Sequence, residues 1–402
     1  MTHQNPTVAF VLILGALSAF GPMSIDMYLP AFPALADSLH TTPGHVAYTL
    51  SAFFIGLSAG QLVYGPLADR FGRKPPLLAG LVLYALASVG CALAPTIEIL
   101  IAMRALQAFG ACAGMVMSRA MVRDLFEPSA AARVFSLLIL VMGLAPILAP
   151  FLGGLVLEFG HWRGIFWSLV AFGAACLAAV AWRLPESLPD TGRVKLGLGA
   201  IASVYGQLLT DRVFMGHSLS GALAQAGMFA YIAGSPFVFI TLHGVPENRY
   251  GLLFGLNALG FVAVSQINAA LVKRIAPTTL LRRGLAFATA MAVLLAVNVT
   301  TGLGGFVGLL AALFGFVASL GFIGPNAMAS AMASRRTHHG QASAMLGTVQ
   351  FGMATLAGLA VGALQDGTAR PMGLTIAVCG LLALVASQLT ARADRAMSAE
   401  AA

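Results

Sequence analysis

The sequence predicts an all-α membrane protein with twelve transmembrane helices. Three observations carry that prediction. Charged residues fill 9% of the 402 positions and apolar residues 59%, where a soluble domain carries roughly 25% charged residues. So few charges cannot cover a water-facing surface. Twelve apolar runs follow one another along the chain, most of them near the about 20 residues that cross a bilayer core as helix. The cations also segregate. With the N-terminus inside, 18 of the 22 Lys and Arg fall in inner loops and tails, including Arg119 and Arg123. Three (Arg163, Arg249 and Arg370) fall outside, and Arg104 falls within a run. Lys and Arg gather on the cytoplasmic side, so both termini are expected in the cytoplasm.

The runs lie near 8–30, 45–67, 76–94, 97–121, 134–157, 162–182, 213–241, 250–272, 284–300, 303–332, 341–364 and 371–391. A single longer polar connection, 184–212, holds Pro185, Pro189 and Gly192. It divides the chain into a first bundle, 1–183, and a second, 213–402, of six helices each. The N-terminal MTHQNPT has no charged leader character, so the first run is read as a span and not as a signal peptide. The formal charge of +8 is spread over short loops and makes no basic domain, so no nucleic-acid partner is expected. The four cysteines each sit in an apolar run without metal-ligand spacing. They read as buried free thiols.

The stretch from Gly65 to Pro75 reads GPLADRFGRKP. It packs Asp69, Arg70, Gly72, Arg73 and Lys74 into a tight turn between the second and third runs. Glycine lets the backbone turn where a side chain would clash. The pattern Gly-x-x-x-Asp-Arg-x-Gly-Arg-Lys resembles the loop between helices 2 and 3 of the major facilitator superfamily of secondary transporters. The resemblance implies that family's fold, two six-helix halves with substrate bound near the midplane between them. Asp124 ends the fourth run, so a charge cluster with Arg70 and Arg73 is expected there as a cytoplasmic gate, with Gly65, Asp69 and Gly72 in the same hairpin.

Asp26 is the lone acid clearly within a run. An ionisable group there is costly and faces a cavity or a partner. It lies in SIDMYLP, between Pro22 and Pro30, which both weaken helix hydrogen bonding. The phrase resembles the first helix of the bicyclomycin-resistance and florfenicol-exporter branch of multidrug antiporters, where the matching acid implies coupling to protons or substrate. Arg104 is the lone base clearly within a run and opens RALQAFGACAG. This resembles the superfamily's fourth-helix motif Arg-x-x-x-Gln-Gly-x-Gly, with Ala108 as a departure. Arg104 lies roughly 10 Å below the outer end of its helix at 1.5 Å per residue, and Asp26 at comparable depth. Communication between them is expected. Gln107, one turn on, can share the role.

The fifth run carries GLAPILAPFLGG. Pro146 and Pro150 stand one turn apart, and Gly153 and Gly154 permit close helix approach. With Gly143, the stretch resembles the antiporter motif of drug exporters, with Ala145 in place of one glycine. Tyr231 and Asn257 are polar groups inside later spans and are expected to contact protons or substrate. The adjacent His338 and His339 have no further ligands beside them, and no metal is assigned.

No Gly-x-x-x-x-Gly-Lys-Ser/Thr loop and no catalytic motif is present, so the chain is not expected to be an enzyme or to bind a cofactor. The proton gradient is the expected energy source. The resemblance implies a monomeric multidrug efflux antiporter in the lipid bilayer of a bacterial inner membrane. Its partners would be a small-molecule drug and protons. A proton-coupled exporter or symporter of a sugar or amino acid on the same fold is the alternative.

Overall fold

The computed structural model describes residues 8–188, 198–333 and 339–400. His338 and the side chain of His339 lie outside the described residues. Among those described, twelve helices are long and apolar enough to cross a membrane. Spans 1 to 6 run Val8–Ser38, Pro43–Phe71, Lys74–Leu93, Ile97–Leu125, Arg133–Phe159 and Arg163–Arg183. Spans 7 to 12 run Arg212–Leu242, Glu247–Leu271, Pro277–Thr301, Gly305–Ala333, Gly340–Ala363 and Arg370–Ala391. Several are longer than the apolar runs that announce them. Helical hydrogen bonding continues past the last apolar residue, so Arg119 and Arg123 lie within span 4, and Arg282 and Arg283 within span 9.

Span 1 is not one helix. Its α-helix ends at Asp26, a 3-10 turn covers Leu29–Ala31, and a short α-helix follows over Phe32–Ser38. Pro30 has no N–H to give the carbonyl of Asp26, four residues earlier, so regular bonding stops there. Span 7 carries a π-helical stretch, Phe237–Leu242, directly after Pro236. Such insertions concentrate at functional sites.

The chain forms two compact units. One comprises Met1–Thr41, Ala52–Ile201 and Glu247–Gly251; the other comprises Thr42–Ser51, Ala202–Pro246 and Leu252–Ala402. In the first, span 3 packs on spans 4 and 6, and span 1 packs on spans 4 and 5. In the second, span 9 packs on spans 10 and 12, and span 7 on spans 10 and 11. The same pairings recur six spans on, a repeat nearly invisible in the residues. Small residues allow it. A Cβ on Gly56 would lie 2.2 Å from the Ala105 carbonyl, and one on Gly321 would lie 2.7 Å from the Ser265 nitrogen.

The connection 184–212 is not wholly extended and polar. Leu198–Thr210 is helical. Its Leu208 is buried in a cluster with Phe214, Ala331, Ala342 and Met345. That apolar contact overrides the mixed charge of the flanking sequence.

Candidate functional site

The buried charges of the first unit meet at the break in span 1. Arg104 is fully buried. Its Nη2 donates to the Ser24 carbonyl at 2.8 Å, and its Nη1 donates to Gln107 Oε1 at 2.5 Å. Ser24 lies in the last turn of the span 1 helix, where carbonyls lack helical N–H partners. The guanidinium carbon also lies 4.3 Å from the Tyr28 ring centroid and 4.2 Å from that of Phe53, with Phe166 at 5.9 Å. Aromatic faces attract a cation, more so when it is desolvated.

The bonding then closes on itself. Gln107 Nε2 donates to Ser88 Oγ at 2.8 Å, and Ser88 Oγ donates to the Tyr84 carbonyl at 2.7 Å. The Tyr84 hydroxyl meets Ser24 Oγ at 2.8 Å. Spans 1, 3 and 4 are thus tied in one ring beside Asp26. Asp26 itself stays outside the ring. It is 3% exposed, and its Oδ1 has no hydrogen-bond partner among the described residues. Arg104 and Asp26 form no salt bridge. Their link runs through the backbone from Ser24 to Asp26.

The proline-glycine stretch of span 5 reaches the same place. A Cβ on Gly153 would lie 1.7 Å from the carbonyl oxygen of Met27, the residue after Asp26. Only glycine lets the two backbones approach so closely. Gly154 faces Asn248, with 3.3 Å from its ideal Cβ to the Asn248 Cα. Pro146 and Pro150 lie inside one continuous helix with Gly143.

The charge cluster at the turn between spans 2 and 3 forms, but with different members than expected. Arg73 Nε donates to Asp124 Oδ2 at 2.9 Å and its Nη1 to Asp69 Oδ1 at 2.7 Å. Burial disfavours the Arg73 charge, but its hydrogen bonds to Asp124 and Asp69 and their negative charges outweigh it and hold its pKa above the ordinary value. Arg70 is exposed and stacks on Phe71 at 5.3 Å, so it does not join the cluster. Arg70 belongs to the last turn of the span 2 helix, whereas Arg73 lies past the turn at Gly72 and reaches Asp124 of span 4. Gly65 lies inside the span 2 helix with open space around it, so the turn does not need it. Gly72 does make the turn, at φ +92.

Sequence reasoning missed Glu186. Its Oε1 accepts from the backbone N–H of Arg73 at 2.8 Å and of Leu188 at 2.9 Å, and its Oε2 from that of Lys74 at 3.0 Å. Lys74 opens the span 3 helix, and a carboxylate suits that positive end. Beside it, Ser187 Oγ donates to Asp124 Oδ2 at 3.1 Å. A cluster of Pro, Glu and Ser in a connection gives no signal of this.

In the second unit Tyr231 and Asn257 do meet. Asn257 Nδ2 donates to the Tyr231 hydroxyl at 3.0 Å, and the Tyr231 ring stacks on Phe254 at 5.5 Å. Both residues are buried.

Twelve apolar helices, a break holding a buried acid, and a buried arginine beside it define a multi-pass membrane protein of the transporter class. The profile of the Major Facilitator Superfamily matches residues 12–359. The chain belongs to that superfamily. It is 38% identical over 395 residues to the uncharacterized MFS-type transporter YdgK of Bacillus subtilis (strain 168), covering 96% of this chain and 97% of that one. It is 32% identical over 386 residues to a bicyclomycin resistance protein homolog of Haemophilus influenzae, with the same two coverages. It is 33% identical over 294 residues to a chloramphenicol resistance protein of Pseudomonas aeruginosa, covering 72% of this chain and 68% of that one. Among solved structures, the partially occluded inward open xylose transporter XylE from E. coli matches with a TM-score of 0.75 at 14% identity. That match covers 96% of this chain and 97% of XylE. At that identity it shows the fold alone.

Proposed function

We propose that this chain exports small drug-like molecules from the bacterial cytoplasm in exchange for protons. The names of its relatives, bicyclomycin and chloramphenicol resistance proteins, support the substrate class. Asp26 supports the coupling. It is an acid buried in a span, its Oδ1 is unpartnered among the described residues, and it stands at a helix break. Such a carboxyl can take a proton or hand it on as its surroundings change.

In this reading the halves 1–183 and 213–402, joined by 184–212, rock between inward- and outward-open states as a monomer in the inner membrane. Both termini face the cytoplasm. Proton and drug bind in turn, and the inward proton gradient drives export without a cofactor. Arg104 and Gln107 position the span 1 break, and Tyr231 with Asn257 offers a polar contact to substrate. The Arg73 cluster holds the cytoplasmic gate.

The test is drug-dependent proton release from the purified protein in detergent. Release on adding chloramphenicol in wild type, absent in Asp26→Asn, is the expected result. Drug binding with no proton release would overturn the coupling.

A further inference from the structure

Span 4 carries two more cations inside its helix, and neither has an acid. Arg119 and Arg123 are both exposed. Four residues apart, they leave one helix face about 5–6 Å apart at Cβ. Neither makes a hydrogen bond or an ion pair among the described residues, where both salt bridges belong to Arg73. The helix between and before them is largely buried, at Met115, Met117, Ser118, Ala120, Met121 and Val122.

The direction of that face follows from helix geometry. Ile99 and Leu106 are the large apolar side chains that span 4 leaves exposed, at 43% and 44%. At 3.6 residues per turn, Arg119 lies about 140° round the helix from Leu106 and about 160° from Ile99, and Arg123 about 100° and about 120°. Arg119 therefore lies roughly opposite the exposed large apolar side chains, and Arg123 about a third of a turn from them. An arginine directed into hydrocarbon is costly, and one inside a span faces protein or water. Because these two are exposed and not packed on protein, water is the side that suits them.

The nearby acids do not neutralise them. Asp124 and Asp69 are held by Arg73, and Asp124 also by Ser187. Glu127 lies beyond the helix end and forms no ion pair with Arg123. Asp26 is buried. The water-facing side of inner span 4 is thus positive, with two planar guanidinium forks at one turn's spacing. That geometry suits bidentate recognition of carboxylates and similar anions.

We propose that Arg119 and Arg123 form a binding step for solutes carrying a carboxylate or another anionic group, and that they disfavour cations. The proposal rests on the export reading in taking the bound solute to be a transported one. The experiment measures binding of two xanthene dyes, anionic fluorescein and cationic rhodamine 6G, to the purified full-length protein by fluorescence anisotropy. Fluorescein should bind and weaken with added salt. The pair Arg119→Gln and Arg123→Gln should weaken fluorescein roughly tenfold, the scale of a lost charge-assisted bond, and leave rhodamine 6G as tight or tighter. The pair Arg119→Lys and Arg123→Lys keeps the charge and should retain most of the fluorescein affinity.

Any of four results overturns the proposal: no fluorescein binding in wild type, unchanged affinity in the glutamine pair, equal loss of both dyes there, or equal loss in the lysine pair. The assay uses no proton gradient. Failed proton release would sink the antiport reading and leave this result standing, and the converse holds.

Discussion

Arg104 donates to the carbonyl of Ser24 at 2.8 Å, two residues before Asp26, and to no carboxylate among the described residues. A buried arginine is thus held by a helix end, an amide and aromatic faces, while its Nε has no partner among the described residues. Its contact nearest Asp26 is with the backbone at the span 1 break. Geometry at the break, and not a tight ion pair, is what variants of this ring should disturb.

Asp26→Asn should abolish proton-driven export and leave the fold intact, because the amide keeps the shape and cannot carry the proton. Drug susceptibility in an efflux-deficient host reads export, and thermal unfolding of the purified variant reads the fold. Full resistance in cells expressing it would remove Asp26 from the coupling step.

Arg104→Lys should fail to replace arginine. Two donors and a flat cation between Tyr28 and Phe53 need the guanidinium, and an ammonium is a point charge. Each desolvated aromatic contact is worth about 0.5–2 kcal/mol, so the variant should unfold at lower temperature and bind drug more weakly. A double-mutant cycle with Asp26→Asn should show coupling of about 0.5–3 kcal/mol, as for residues sharing one network. Strictly additive losses would leave Arg104 structural only.

Gly153→Ala and Gly154→Ala should part company. The first drives a methyl group onto the Met27 carbonyl, with no flexible side chain to yield. The second meets nothing nearer than 3.3 Å. Export assays should find Gly153→Ala inactive or poorly folded and Gly154→Ala close to wild type. Equal activity would show that spans 1 and 5 separate freely there.

Glu186→Gln should loosen the turn between spans 2 and 3. Three backbone N–H groups lose a charged acceptor, each such bond being worth about 1.5–3 kcal/mol before water replaces it. Asp69→Asn acts on the same turn through Arg73. In both variants a cysteine placed beside Asp124 should react faster with a cytoplasmic thiol reagent. An unchanged rate would mean that the cluster does not guard that side.

Much of this was legible because membranes make charge expensive. Asp26 and Arg104 stood out as single charges in apolar runs, and the turn at Gly72 as a dense group of cations. What was not legible depended on partners far along the chain. Ser24, Tyr84 and Ser88 look like ordinary hydroxyls in apolar helices until spans 1, 3 and 4 meet. Glu186 matters through the N–H groups of Arg73 and Lys74, more than a hundred residues away. Arg119 was counted with the inner loops because a cation usually ends an apolar run, whereas here the helix continues past it to Leu125. The helix Leu198–Thr210 was hidden because its stability comes from Leu208 docking on Phe214, not from its own pattern.

The missing carboxylate partner of Arg104 has an electrical consequence. With Asp26 ionised, the two side chains sum to zero. With Asp26 protonated, the same site carries one whole positive charge. A bacterial membrane is negative inside, and one charge moved through 100 mV is worth about 2.3 kcal/mol. Voltage should therefore act on the proton-loaded carrier and spare the empty, ionised one. Export driven at fixed pH difference should speed up as an inside-negative potassium diffusion potential is imposed, and Arg104→Gln should change that voltage dependence even where it retains activity.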